Sequence, residues 1–229
     1  MNPSLKSLLI GGTLAASSLS ASAANLLVPS DAIIGGILNG SDFQVGVVGT
    51  AGGVNNWPAA EPPQDMINGI IGGGGEKYLN FARLNTGVII TPAASASASL
   101  LINTMTLWTA NDAVERDPAD YQLYGTNSPI SGGGPFALSL FTLINEDALA
   151  LPADRDIVGD GTGFSQTVNI GATEAYTSYL LLFPNVKGPD GNSMQISEVQ
   201  FDASPAIPEP GTAALSGLAL LGLMRRRRK

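Results

Sequence analysis

The stretch Met194-Gln195-Ile196-Ser197-Glu198-Val199-Gln200-Phe201 decides the fold class. Side chains alternate across an extended strand. Met194, Ile196, Glu198 and Gln200 therefore take one side, and Gln195, Ser197, Val199 and Phe201 the other. The period recurs in Tyr121-Gln122-Leu123-Tyr124, where Tyr121 and Leu123 oppose Gln122 and Tyr124. Outward from these two segments, short apolar and β-branched runs predict strands over Phe43–Val48, Gly87–Thr91, Ile102–Thr109, Asp120–Tyr124, Leu138–Ile144, Phe164–Ile170, Ser178–Phe183 and Met194–Phe201. Clusters of Gly, Pro, Asn, Asp and Ser separate the runs, and Gly72–Gly75 and Gly132–Gly134 read as loop tips. No helical periodicity is sustained between the two ends, and no internal repeat is present. About eight short strands with frequent turn signals predict an all-β antiparallel sandwich or barrel.

The two ends carry a different kind of signal. Lys6 precedes an apolar run from Leu8 to Ala16, and Ala21-Ser22-Ala23 is a small-residue cleavage site. The run is about half the ~20 residues a spanning helix needs. Residues 1–23 are therefore expected to be a secretory signal peptide, cleaved after Ala23, with an uncleaved anchor as the alternative. At the other end, Pro208-Glu209-Pro210-Gly211 leads into an apolar run from Thr212 to Met224 and then Arg225, Arg226, Arg227, Arg228 and Lys229. The prolines keep the segment extended. The apolar run suits a short transmembrane-type helix, and the basic end would stay cytoplasmic by the positive-inside bias. Residues 205–229 thus read as a tail and 24–204 as one β-sandwich domain.

This tail resembles the PEP-CTERM sorting signal of Gram-negative bacteria that make extracellular polysaccharide. The resemblance implies export to the cell surface, outer envelope or extracellular matrix. It also implies processing near Pro208, Glu209 and Pro210 by an exosortase, a membrane cysteine protease, with only transient membrane contact.

Charge and composition exclude much. The whole chain has formal charge −8, yet six of its eleven basic residues are Lys6 and the C-terminal five. Residues 24–207 keep Lys77, Arg83, Arg116, Arg155 and Lys187 against eighteen acids, a formal charge of −13. Phosphate backbones would repel such a body, so nucleic acid is not an expected partner. The chain has no Cys and no His. Disulfides, Ser-His-Asp and Cys-His catalysis, and His- or Cys-ligated metals are excluded.

Asp65-Met66-Ile67-Asn68-Gly69 and Glu76-Lys77-Tyr78-Leu79-Asn80-Phe81 meet a second family. With Tyr121-Gln122-Leu123-Tyr124-Gly125-Thr126-Asn127 and Ile196-Ser197-Glu198-Val199-Gln200-Phe201, their order and spacing resemble discoidin-like domains, also called coagulation factor 5/8 C-type domains and close to family 32 carbohydrate-binding modules. The resemblance covers roughly residues 30–203. It implies an eight-stranded jelly-roll sandwich of galactose-binding-like topology, and glycan, such as extracellular polysaccharide, as ligand. It also implies a structural calcium, held by hard oxygen donors. By position these are the Asp65 carbonyl, the Asn68 side chain, the Ile70 carbonyl, a group at Glu76, the Ser197 carbonyl and the Glu198 carboxylate. Asn68 stands where the family usually has Asp, Glu76 where it has Thr, and Gly72–Gly75 lengthens the loop. The alternative is that Glu198 pairs with a basic neighbour such as Lys77, and that Asn68-Gly69 is simply a turn.

The candidate ligand-binding residues are Trp57, Asn111, Asp112 and Arg116. Trp57, in Asn55-Asn56-Trp57-Pro58, either stacks on a sugar or caps the sandwich. Arg116 either binds a polysaccharide carboxylate or hydroxyl, or braces its loop against an acid. Asn111 and Asp112 offer short polar groups. A glycosidase needs two carboxylates about 5–9 Å apart. Glu115/Asp117, Glu146/Asp147 and Asp154/Asp156 are pairs in sequence without a recognisable catalytic frame, so the expected role is non-catalytic binding. A structural or adhesion protein contacting other proteins is the second reading.

Overall fold

A computed structural model describes residues 24–72, 74–96, 99–155 and 164–206. The expected signal peptide and residues 207–229 of the expected tail, with its Pro208-Glu209-Pro210 motif, lie outside these residues. In chain order the strands are β1 (Ala24–Asn25), β2 (Ala32–Asn39), β3 (Asp42–Val45), β4 (Val47–Val48), β5 (Asn56–Trp57), β6 (Tyr78–Asn80), β7 (Thr86–Thr91) and β8 (Leu100–Trp108). They continue with β9 (Asp120–Thr126), β10 (Phe136–Ala137), β11 (Thr142–Ala148), β12 (Ser165–Asn169), β13 (Ser178–Phe183), β14 (Met194–Ile196) and β15 (Glu198–Pro205). The helical elements among the described residues are short 3-10 turns, such as Pro63–Ile67 and Val114–Arg116. None is long and apolar enough to cross a membrane.

The strands form an all-β sandwich. A seven-stranded sheet, ordered β10-β3-β2-β7-β13-β9-β11, packs on a four-stranded sheet, ordered β1-β15-β8-β12. Both are antiparallel, and β14 with β6 forms a separate short ladder. Between the sheets lie Val88, Ile90, Leu123, Tyr179 and Leu181 on one side and Ile102, Met105, Leu107, Val199 and Phe201 on the other. Tyr179 meets Phe201 edge to face at 5.8 Å. Each such fully buried side chain contributes about 1.5–3 kcal/mol.

A second apolar cluster lies on the outer face of the seven-stranded sheet, where Ile89, Leu180 and Leu182 pack against Phe43, Phe136 and Phe141. The central strands β7 and β13 are thereby covered on both faces. That explains the unbroken run Ser178-Tyr179-Leu180-Leu181-Leu182-Phe183, buried at every position.

Three strand expectations are corrected and one strand is added. Phe43–Val48 is interrupted at Gly46, between β3 and β4. Met194–Phe201 is not one strand with two faces. It divides at Ser197, with Met194–Ile196 pairing Tyr78–Asn80 and Glu198 onward pairing β8. Residues 194–199 are all buried, so neither side is a solvent face. Leu138–Ile144 begins as a 3-10 turn over Leu138–Leu140, and its strand is Thr142–Ala148. Strand β2 is an addition. In it, a Cβ on Gly36 would stand 2.2 Å from the Gln44 carbonyl oxygen, and one on Gly35 would stand 2.5 Å from Pro63. The pair is there for close approach inside a sheet. The strands among the described residues number fifteen rather than about eight, because several are two- or three-residue ladders that leave no periodic trace.

Candidate functional site

The register gathers three loops at one end of the sandwich. Glu198, at the start of β15, lies opposite Trp108, at the end of β8. This places Ser197-Glu198 beside residues 109–118. The 184–192 loop joins them through a Gly188 N–H bond to the Glu115 carbonyl.

On one side of this end lies an acidic loop, residues 61–77. Asn68 is its hinge. Its Oδ1 accepts from the Ile70 N–H at 2.7 Å. Its Nδ2 donates to Glu76 Oε2 at 3.0 Å and to Asp65 Oδ1 at 3.4 Å. Ser197 Oγ donates to the Glu76 carbonyl and accepts from the Gly72 N–H, both at 3.1 Å. Glu198 Oε2 accepts from the Gly69 N–H at 3.2 Å. Asp65, Asn68, Ile70, Glu76, Ser197 and Glu198 therefore belong to one bonded group, although 129 positions separate Gly69 from Glu198.

The electrostatics of the group are unbalanced. Glu198 is 1% exposed, and burial pushes its carboxyl up to about 8. Burial, with the neighbouring charge of Glu76, pushes Asp65 up to about 6. None of the ion pairs among the described residues involves Asp65, Glu76 or Glu198. The pairing of Glu198 with Lys77 is corrected: Lys77 Nζ lies 3.0 Å from Asp112 and 3.6 Å from Glu61, and donates to Asn111 Oδ1 at 2.9 Å. The oxygen-only donor set with no basic counter-charge has the chemistry a hard cation takes. Among the described residues, however, no three acidic side chains are drawn close enough to enclose a metal ion, and Asn68 turns its Nδ2 toward the carboxylates.

On the other side lies an ion-pair network. The buried Lys77 holds Asp112, which also pairs with Arg116 at 3.3 Å. Arg155 Nε donates to the Asp112 carbonyl at 2.6 Å. Its Nη2 reaches Asp117 Oδ2 at 2.7 Å, and Lys187 Nζ reaches the same oxygen at 3.1 Å. Burial pushes the Asp117 carboxyl upward, while Arg155 and Lys187 pull it down. Asn111, Asp112 and Arg116 are thus brought together on a partly exposed patch around Lys77.

Trp57 is not part of that patch. It is 8% exposed and stands edge-on to Tyr78 at 5.9 Å. Gly46 and Gly35 make room for its ring, since a Cβ would lie 2.5 Å and 3.1 Å from its Cζ3. The capping alternative describes its placement, and an exposed stacking platform does not. Three of the paired acids are also engaged. Asp117 is fully buried by its two cations, Glu146 accepts from Gln122 at 2.8 Å, and Asp147 accepts from the Ala148 N–H at 2.7 Å. Asp156 lies outside the described residues.

Sequence reading missed Lys77, Asp117, Arg155 and Lys187 as the organisers of this end. Arg155 and Lys187 stand 38 and 70 positions from Asp117, so no local spacing could reveal them.

Residues 206–229 match the family model described as the PEP-CTERM protein-sorting motif, so the chain carries that motif. No curated protein matches the chain. Solved structures similar to it include family 32 carbohydrate-binding modules. CpGH89CBM32-5 from Clostridium perfringens, in complex with GalNAc-β-1,3-galactose, is 14% identical over 78% of this chain and 99% of its own, with a TM-score of 0.46. The family 32 module of Streptococcus pneumoniae EndoD is 13% identical over 78% and 98%, with a TM-score of 0.47. The family 32 module of C. perfringens NanJ, in complex with galactose, is 9% identical over 79% and 97%, with a TM-score of 0.44.

Proposed function

We propose that the chain is an exported, non-catalytic surface or matrix protein that binds glycan, such as extracellular polysaccharide, and is sorted by an exosortase acting near Pro208-Glu209-Pro210. The observation that carries the glycan reading is the patch of Asn111, Asp112 and Arg116 around Lys77. It combines fixed donors and acceptors on one loop, anchored from beneath by Asp117, Arg155 and Lys187. Sugar hydroxyls need both kinds of partner, and a pre-organised patch loses little entropy on binding. The sorting motif supports delivery to the surface.

A glycan array with the purified chain tests this, alongside Arg116→Ala. The Arg116 pair with Asp112 is a surface pair, worth about 0–1 kcal/mol, so the variant folds. Binding that Arg116→Ala weakens is the expected result. Silence on every glycan would refute the reading, and unchanged binding by the variant would move the site elsewhere. The second reading, adhesion to another protein, has its own observation: Val47, Val48 and Val54 are exposed together around the β4–β5 loop, Val54 at 77%.

Calcium is proposed as a structural cofactor for Asp65, Asn68, Ile70, Glu76, Ser197 and Glu198, where it would supply the missing counter-charge. A melting temperature unmoved by millimolar calcium would remove it.

A further inference from the structure

The opposite end of the sandwich holds a cleft lined by none of the candidate site residues read from the sequence. Strand β9 runs from Asp120, next to the Asn111 loop, to Thr126. Ser178 pairs with Thr126, and Thr142 pairs with Gly125. The start of β11 and the loop before β13 therefore meet at the far end of β9. A seven-residue strand puts the two ends about 20 Å apart.

Here Thr142, Leu143, Ile144, Thr173, Glu174 and Tyr176 line a cleft of about 300 Å³. That is the low end of the range for small-ligand sites, roughly 300–1,000 Å³. Tyr176 is held in three ways. Its ring lies over Gly125, where a Cβ would come within 2.2 Å of the ring. It stands edge-on to Tyr179 at 6.3 Å. Its hydroxyl donates to Glu174 Oε2 at 2.9 Å. Leu143 beside it is exposed. One wall is thus apolar, the rim carries two threonine hydroxyls and a carboxylate, and among the described residues no basic side chain lines the cleft.

We propose that this cleft is a second glycan site, one that accepts a neutral hexopyranose and rejects uronates and other anionic sugars. The proposal rests on the glycan-binding reading above but uses different residues. A pyranose ring has an apolar face and a rim of hydroxyls. The apolar face matches the immobilised Tyr176 ring with Leu143 and Ile144. Hydroxyls donate to the Glu174 carboxylate in charge-assisted hydrogen bonds. The same carboxylate repels an anionic sugar with no cation to compensate, which supplies selectivity by an unfavourable contact. Two sites at opposite ends of a rigid sandwich would join two polysaccharide strands instead of following one, with the avidity that bivalency brings.

The test is amide chemical-shift mapping on the full chain, titrated with methyl β-galactoside, methyl β-glucoside, N-acetylglucosamine and glucuronate, for the wild type, Glu174→Gln and Arg116→Ala. The neutral probes are expected to shift residues 142–144 and 171–176, with glucuronate at least tenfold weaker. Glu174→Gln, at an exposed position, should weaken the neutral probes at least fivefold and narrow the gap to glucuronate. Arg116→Ala should leave these shifts intact. Shifts confined to residues 109–118 overturn the second site and sustain the first. Shifts at the Tyr176 cleft alone sustain the second and overturn the first. Equal affinity for glucuronate, or a Glu174→Gln variant that binds like wild type, overturns the selectivity and with it the proposal.

Discussion

Replacing Glu198 with Gln and following thermal unfolding in the presence of a calcium chelator isolates what one buried carboxylate costs. Glu198 is 1% exposed and has no cationic partner among the described residues. Burial pushes its carboxyl from 4.5 to about 8. Between those values the folded protein keeps a proton that the unfolded chain has released. The native state then binds more protons, so stability is full below the unfolded value and falls as pH rises through the window. At about 1.4 kcal/mol per unit, the loss between pH 5.5 and 8 is on the order of 3 kcal/mol. For a domain of this size about 1 kcal/mol moves the melting temperature by 2–4 °C, so a fall of roughly 10 °C is expected for the wild type. Asp65, raised to about 6, adds a loss of the same sign at the lower edge of the window. Glu198→Gln keeps an acceptor for the Gly69 N–H and has nothing to titrate, so its profile should be much flatter. A wild-type melting temperature that holds or rises from pH 5.5 to 8.5, or an identical slope in Glu198→Gln, would refute the reasoning. Added calcium should flatten the wild-type profile and leave the variant unmoved.

Three further outcomes follow from the packing. Trp57→Ala should cost about 3–5 kcal/mol in urea unfolding, as large aromatic truncations in cores do, while the folded fraction binds glycan unchanged; a selective loss of binding would restore Trp57 as a contact residue. Arg155→Ala leaves the buried Asp117 carboxylate with Lys187 alone, and a loss of about 3–5 kcal/mol is expected; a cost under about 1 kcal/mol would mean that Lys187 suffices. Gly87→Ala would bring a Cβ within 2.3 Å of the Leu181 carbonyl oxygen in a sheet covered on both faces. Circular dichroism melts should show a loss of at least about 2 kcal/mol, and a neutral result would show that β7 and β13 can move apart there.

Which features were legible follows from their range. Leu181 and Phe201 announce strands because alternation and apolar runs are local. Trp57 misleads because its neighbours Asn55, Asn56 and Pro58 are loop residues. Burial of its ring depends on the absence of side chains at Gly35, in β2, and Gly46, between β3 and β4. Strand β2 is hidden for the same reason: Gly35 and Gly36 serve a close approach that exists only once β3 and Pro63 are in place. The acidic loop lies between these cases. Its members are recognisable by motif, but the bond from Gly69 to Glu198 and the diversion of Lys77 to Asp112 are tertiary facts.

The sequence by itself determined the all-β class, the acidic body, the absence of His and Cys chemistry, and the sorting motif at the C-terminal end. Each of these is a property of composition or of residues a few positions apart. Only the tertiary structure decided where Met194–Phe201 breaks, which cation neutralises which acid, that Trp57 is core, and that Thr142, Glu174 and Tyr176 share a cleft. Those outcomes depend on register between strands far apart in the chain. Register is set by the summed packing of two sheets, and no short window of sequence contains it.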